Sequence, residues 1–194
     1  MVMAFDAFDD VSDETLLILY AKGEGRAARA LTVRFGPLAY RVAMRMLGDR
    51  AEAEDLTQEA MLRLWKIAPD WRAGEAKVST WLYRVVTNLA TDRLRRRRGI
   101  GLDEAPEIAD EAASVLDRMI DTDRARALDL ALAQLPARQR QAVILRHLEG
   151  MSNPEIAAAM EIGVEAVESL TSRGKRALAG LLGGRRVELG YGHD

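Results

Sequence analysis

Between Arg84 and Arg98 the chain carries six basic residues against the single acid Asp92. Positive charge at that density suits ion pairs to a phosphate backbone, the electrostatic part of nucleic-acid binding. Arg84, Asn88, Thr91, Asp92 and Arg95 recur every three or four residues, so they share one side of a helix that runs on into Arg96, Arg97 and Arg98. The other side, Trp81, Leu82, Val85, Val86, Leu89 and Leu94, is apolar and belongs to a core. An arginine run also suits the negative end of a helix dipole, the plainer alternative. Just upstream, the loop PDWRAGEAKVST sets Trp71 beside the cations Arg72 and Lys77, around Gly74. Aromatic and cationic groups together can hold an unstacked base, a contact worth about 1 to 3 kcal/mol.

Two further faces have chemistry of their own. In AEAEDLTQEAMLRLW, the residues Glu52, Asp55, Gln58, Glu59 and Arg63 lie opposite a stripe of Leu56, Ala60, Met61, Leu64 and Trp65. An acidic, amide-bearing face repels DNA and fits a basic protein partner, or else is simply solvated. Near the C-terminus a short capped helix, a glycine-bearing turn and a longer helix, with Ile156, Ala157, Ile162, Val164, Val167 and Leu170 inward, have helix-turn-helix spacing. Glu165, Glu168, Ser169, Ser172, Arg173, Lys175 and Arg176 would then face DNA.

Positioning these faces requires helices throughout. The expected fold is all-α: two small helical domains, residues 12–98 and 122–182, joined by an acidic flexible linker at 99–121, with a mobile tail at 183–194. Ser12 caps the first helix and Gly23 and Gly25 end it. The second is interrupted at Gly36 and Pro37, giving one bent helix or two short ones, with Leu31, Phe35, Leu38, Val42 and Leu47 inward. The third opens at Asp49 or Arg50 and stops at Pro69. Ser79 or Thr80 caps the basic helix. In the second domain Pro136 takes the first position of a helix that Gly150 closes. Ser152 and Glu155 form a capping box with Pro154 at the first helical position. Gly163 supplies the turn, and Gly174 gives the last helix a place to bend, at a cost of up to about 1 kcal/mol relative to Ala.

The formal net charge of −2 is an average over unlike parts. Residues 1–98 hold 17 basic and 14 acidic residues, residues 99–123 hold 1 and 8, and residues 124–194 hold 10 and 8, so two mildly basic bodies flank an acidic segment. There is no cysteine, which excludes disulfides and thiolate metal sites. With no Gly-rich phosphate loop and only His147 and His193 as imidazoles, neither an enzyme, a metal site nor a cofactor is expected. The acidic start is unlike a secretion signal, and no apolar run approaches the roughly 20 residues of a membrane span, so a soluble cytoplasmic protein is expected.

The order AEDLTQEAMLRLW, then WLYRVVTNLATDRLRRRR, then an acidic linker, then LPARQRQAVILRHLEGMSNPEIAAAMEIGVEAVESLTSRGKRAL resembles the extracytoplasmic-function sigma factors of bacterial RNA polymerase, from about Ser12 to Leu182. The resemblance implies a first domain that recognises and melts the −10 promoter element, and a second that reads the −35 element. It implies core RNA polymerase, through its β and β′ subunits, and promoter DNA as partners, and an anti-sigma factor as a third. Carried over by position, Asp55, Gln58 and Glu59 would dock on the β′ coiled coil. Trp71, Arg72 and Lys77 would capture a flipped −10 base, while Arg84, Asn88, Thr91, Asp92 and Arg95 to Arg98 approach the same DNA. Glu165, Glu168, Ser169, Ser172, Arg173, Lys175 and Arg176 would meet the −35 duplex. Glu168 departs from the family, which often has a basic residue there. The alternative is a helix-turn-helix repressor or activator acting without core polymerase, which leaves the acidic face and the aromatic loop unused.

Overall fold

The computed structural model describes residue 8 and residues 10–99 and 116–183, without the side chains of 98, 99 and 116–124. The described residues are helical with no strand: α1 (Asp13–Ala21), α2 (Gly25–Leu47), α3 (Arg50–Ile67), α4 (Val78–Gly99), α5 (Leu116–Ala133), α6 (Ala137–Val143), α7 (Asn153–Met160) and α8 (Val164–Gly183). Most of the acidic linker and all of the tail beyond Gly183 lie outside them. Helix α5 begins at Leu116, within the stretch expected to be linker.

Local chemistry sets most boundaries. The Ser12 hydroxyl accepts from the Thr15 N–H, and the Asp49 carboxylate from the Glu52 N–H at 2.9 Å, filling donors that the first turn leaves open. Gly48 closes α2 in the left-handed conformation, φ 68°. Pro37 does not divide α2, which runs as one helix; Leu31, Phe35, Val42 and Leu47 are buried and Leu38 half-buried. After α3 a short 3₁₀ turn, Ala68–Asp70, contains Pro69. The basic helix begins earlier than expected: Val78 is already helical and the Lys77 carbonyl accepts from the Trp81 N–H, so Ser79 and Thr80 lie inside the first turn rather than capping it.

In the C-terminal half, Pro136 precedes α6 as its cap instead of opening it. α6 then widens into a π turn, Ile144–Leu148, in which the Glu149 N–H bonds to the Ile144 carbonyl five residues back. The Ser152–Glu155 capping box is present, with helix α7 starting at Asn153, one residue before Pro154. The left-handed residue of the next turn is Glu161, φ 54°, and not Gly163. Ile156, Ala157 and Val167 are buried, Ile162 and Leu170 half-buried, but Val164 is exposed.

α2 packs on α1, α3 and α4, and α8 packs on α6 and α7. The two groups of helices meet where α7 lies against α4 and where α5 and α6 reach α2. Their buried side chains, among them Leu31, Leu56, Leu64, Leu82, Leu132, Ile144 and Ile156, form one contiguous cluster. Each fully buried leucine or isoleucine contributes about 1.5 to 3 kcal/mol. No described helix is long and apolar enough to cross a membrane.

Candidate nucleic-acid interface

Helix α4 sorts its residues as the periodicity requires. Leu82, Val85, Val86 and Leu89 are buried, and Trp81 and Leu94 pack half-buried against the same core. Asn88, Arg95 and Arg96 are exposed, and Arg84 and Asp92 partly so. Arg95 donates to Asp92 three residues earlier at 2.9 Å, with its guanidinium still open to solvent. Thr91 is set deeper, its hydroxyl oxygen buried without a partner.

The arginine run is not one uniform patch. Arg97 is turned back onto α3, 2.6 Å from Glu52 and 3.8 Å from Asp49, and also donates to the Leu47 carbonyl. It is a tie between helices, so the expected phosphate contact is corrected for this residue. The same ion pair corrects the reading of Glu52, which faces α4 rather than a partner. Arg93, which helical spacing alone does not single out, donates to the Glu52 carbonyl at 2.9 Å and sits 3.5 Å from Glu59. The Arg98 side chain lies outside the described residues.

In the loop before α4, Arg72 and Lys77 are exposed. Trp71 is not a free stacking surface. It is half-buried and stands edge-on to Trp81, ring centroids 6.2 Å apart at 85°, so the pair anchors the loop to the helix. Lys77 and Arg84 are both engaged from the C-terminal half: Lys77 Nζ lies 2.9 Å from Glu155 and Arg84 3.5 Å from Glu161. Lys77 and the Ser152 cap together hold the Glu155 carboxyl down to about 2.

On α3, Asp55 and Gln58 are exposed, whereas Glu59 is shared between Arg63 at 2.7 Å and Arg93. Leu62, 66% exposed, extends the same face by one turn. Sequence reasoning missed it because a lone leucine off the stripe carries no signal until its exposure is known. On α8, Glu165, Glu168, Ser172, Arg173, Lys175 and Arg176 are exposed and Ser169 half-buried. Glu168 accepts from the Asn153 amide at 3.3 Å, so this acid braces the two helices of the motif. Gly174 is buried because α6 passes close: a methyl group there would stand 2.5 Å from Val143 Cγ2. α8 continues through it to Gly183, and the expected bend gives way to a close packing point.

A helix-turn-helix whose outer face is solvent-exposed, beside a helical body with a polar and cationic α4, has the surfaces of a DNA-binding protein. The sigma-70 region 2 family matches residues 31–100 and the sigma-70 region 4 family residues 125–178. The chain is 32% identical to the ECF RNA polymerase sigma factor SigM of Mycobacterium tuberculosis, over 93% of this chain and 90% of that protein. It is 36% identical to the ECF RNA polymerase sigma factor SigE of Mycolicibacterium smegmatis over 72% of this chain, and the match spans 55% of that longer protein. The fold is shared with the sigma factor RpoE of Bartonella quintana, solved in complex with the anti-sigma factor NepR: TM-score 0.66 at 24% identity, covering 79% of this chain and 95% of that one. The chain belongs to the extracytoplasmic-function sigma factors, the subunits that direct RNA polymerase to promoters.

Proposed function

We propose that this chain brings core RNA polymerase to its promoters through three separate surfaces. Asp55, Gln58 and Leu62 on α3 dock on the polymerase, an exposed apolar residue within a polar, acidic face suiting a basic partner with an apolar contact point. Arg72, Lys77, Arg84, Asn88, Asp92, Arg95 and Arg96 engage the −10 element, their cations on its phosphates and a guanidinium plane stacked on an unstacked base, a contact that the closed duplex lacks. The exposed face of α8 meets the −35 duplex, weakly, because one small helix-turn-helix buries limited surface. An anti-sigma factor is a further partner, supported by the complex in which the Bartonella relative was solved.

The observation that carries this reading is that Asn88, Arg95 and Arg96 lie exposed along one side of α4, in line with Arg84 and the cationic loop. In vitro transcription with purified core polymerase, with start-site mapping, tests it. Core polymerase plus the chain should initiate at a defined set of promoters, and Arg84→Ala with Asn88→Ala should abolish open-complex formation while leaving assembly with the polymerase intact. Promoter binding that is indifferent to core polymerase would instead establish an autonomous helix-turn-helix regulator.

A further inference from the structure

Helix α8 has a charge order that a merely phosphate-binding helix does not need. Its acids, Glu165 and Glu168, stand in the first two turns, and its cations, Arg173, Lys175 and Arg176, in the turns that follow. Val164, Glu168, Ser172 and Arg176 recur every four residues and are exposed, so they form one outward row along the helix. The recognition helix of a helix-turn-helix enters the major groove with its N-terminal residues on base edges. Glu168 therefore stands at the end that meets bases, which leaves the later cations for the phosphates.

The Glu168 carboxylate is also aimed. Its Oε1 accepts at 3.3 Å from the amide of Asn153, the first residue of α7, and Oε2 is without a partner among the described residues. Because Asn153 is neutral, the negative charge is not cancelled. A glutamate tied to a neighbouring helix has given up part of its rotamer freedom, so its second oxygen is presented at a lower entropic cost.

A carboxylate can only accept hydrogen bonds. In the major groove guanine presents the acceptors N7 and O6, thymine the acceptor O4 with a methyl group, and adenine the acceptor N7 beside its N6 donor. Cytosine offers the N4 donor with no acceptor of its own beside it. We infer that Glu168 reads a cytosine of the −35 duplex through its N4 amine, with Asn153 as the positioning residue that holds the carboxylate toward it. This deepens the proposed docking of α8 on −35 DNA and rests on it, and the test keeps the two apart.

The full chain, assembled with core polymerase, is given promoter fragments identified by start-site mapping, with the −35 segment randomised. The wild type should select cytosine at one position. Replacing that cytosine by 2-pyrimidinone, which lacks the 4-amino group, should weaken binding about tenfold, the low end for a specific base contact. Glu168→Ala, at an exposed position, should bind the two fragments within about twofold of each other. It should also bind the altered fragment more tightly than the wild type does, since a negative charge facing DNA is gone. Glu168→Gln should move the preference at that position to adenine, which a carboxamide meets with a donor and an acceptor together. Asn153→Ala should lower the cytosine preference while leaving affinity for the altered fragment in place, whereas a loss of folding would lower both. Equal base preferences in the wild type and Glu168→Ala at every position would overturn the reading and leave Glu168 as a brace between helices. Loss in Glu168→Ala of a preference for some other base would overturn the choice of cytosine. If Arg173→Ala with Arg176→Ala leaves the binding of every fragment unchanged, the −35 assignment of α8 falls, and the cytosine contact with it.

Discussion

Gly174→Ala sets two effects of known sign against each other. In an open helical position the change stabilises by about 1 kcal/mol through helix propensity. Here the new methyl would lie 2.5 Å from Val143 Cγ2 and 3.3 Å from the Gln139 carbonyl oxygen, where carbon atoms rest at about 3.5 to 4 Å. Val143 is 3% exposed and α6 is held on its far side by Arg140, so the strain should cost about 1 to 3 kcal/mol. The net expectation is a loss of up to about 2 kcal/mol. Val143→Ala alone removes two buried methyl groups, about 1.6 kcal/mol at about 0.8 each. In that background the methyl added at position 174 enters the vacated space, and Gly174→Ala should become stabilising by about 1 kcal/mol. Urea denaturation of the four proteins, followed by circular dichroism, gives the coupling directly, expected at about 1 to 3 kcal/mol. Stabilisation by Gly174→Ala in both backgrounds to the same extent would show that the approach of α8 to α6 does not constrain this position.

Arg97→Ala should lower stability by about 1.5 to 3 kcal/mol, the range for hydrogen bonds to charged groups, with little change in the salt dependence of DNA binding. Arg95→Ala with Arg96→Ala should do the reverse, leaving the melting temperature in place and reducing the log-log salt slope by about 0.7 to 0.9 per lost contact; a slope change in Arg97→Ala alone would reverse that division. Asp55→Lys with Leu62→Ala should abolish co-purification with core polymerase at unchanged helical content, and normal assembly would show that the α3 face is merely solvated. Burial, then Lys175 and Arg146, depress the His147 pKa below 6.5. The unfolded chain therefore binds the proton first, and stability should fall as the pH drops below about 6.5. Urea midpoints at pH 8 and pH 5.5 read the effect, and His147→Gln should lose this part of the difference.

Much of the architecture is legible in local chemistry because its determinants are local. Ser12, Asp49, Gly48 and the Ser152–Glu155 box act within one turn of the residues they cap, and the stripes of α3 and α4 follow from their own periods. Local patterns mislead where a distant element decides. Nothing around Arg97 distinguishes it from Arg95 or Arg96, because the difference is Glu52, forty-five residues earlier and on another helix. Gly174 looks like a weak point until α6 is placed against it, and Trp71 looks like an offered ring until Trp81 is seen at its edge. Lys77 and Arg84 are legible as cations, but their partners Glu155 and Glu161 lie more than seventy residues away, beyond the reach of any pattern.

The wide turn at Ile144–Leu148 has an evolutionary corollary. A π turn holds one residue more than the α-turn it replaces, and each residue of an α-helix rotates the succeeding chain by about 100°. Removing a single codon there would swing Glu149 away from Arg41, Arg45 and Tyr83 while sparing the capping box that starts α7. One residue of that turn thus sets which way the helices that follow it face.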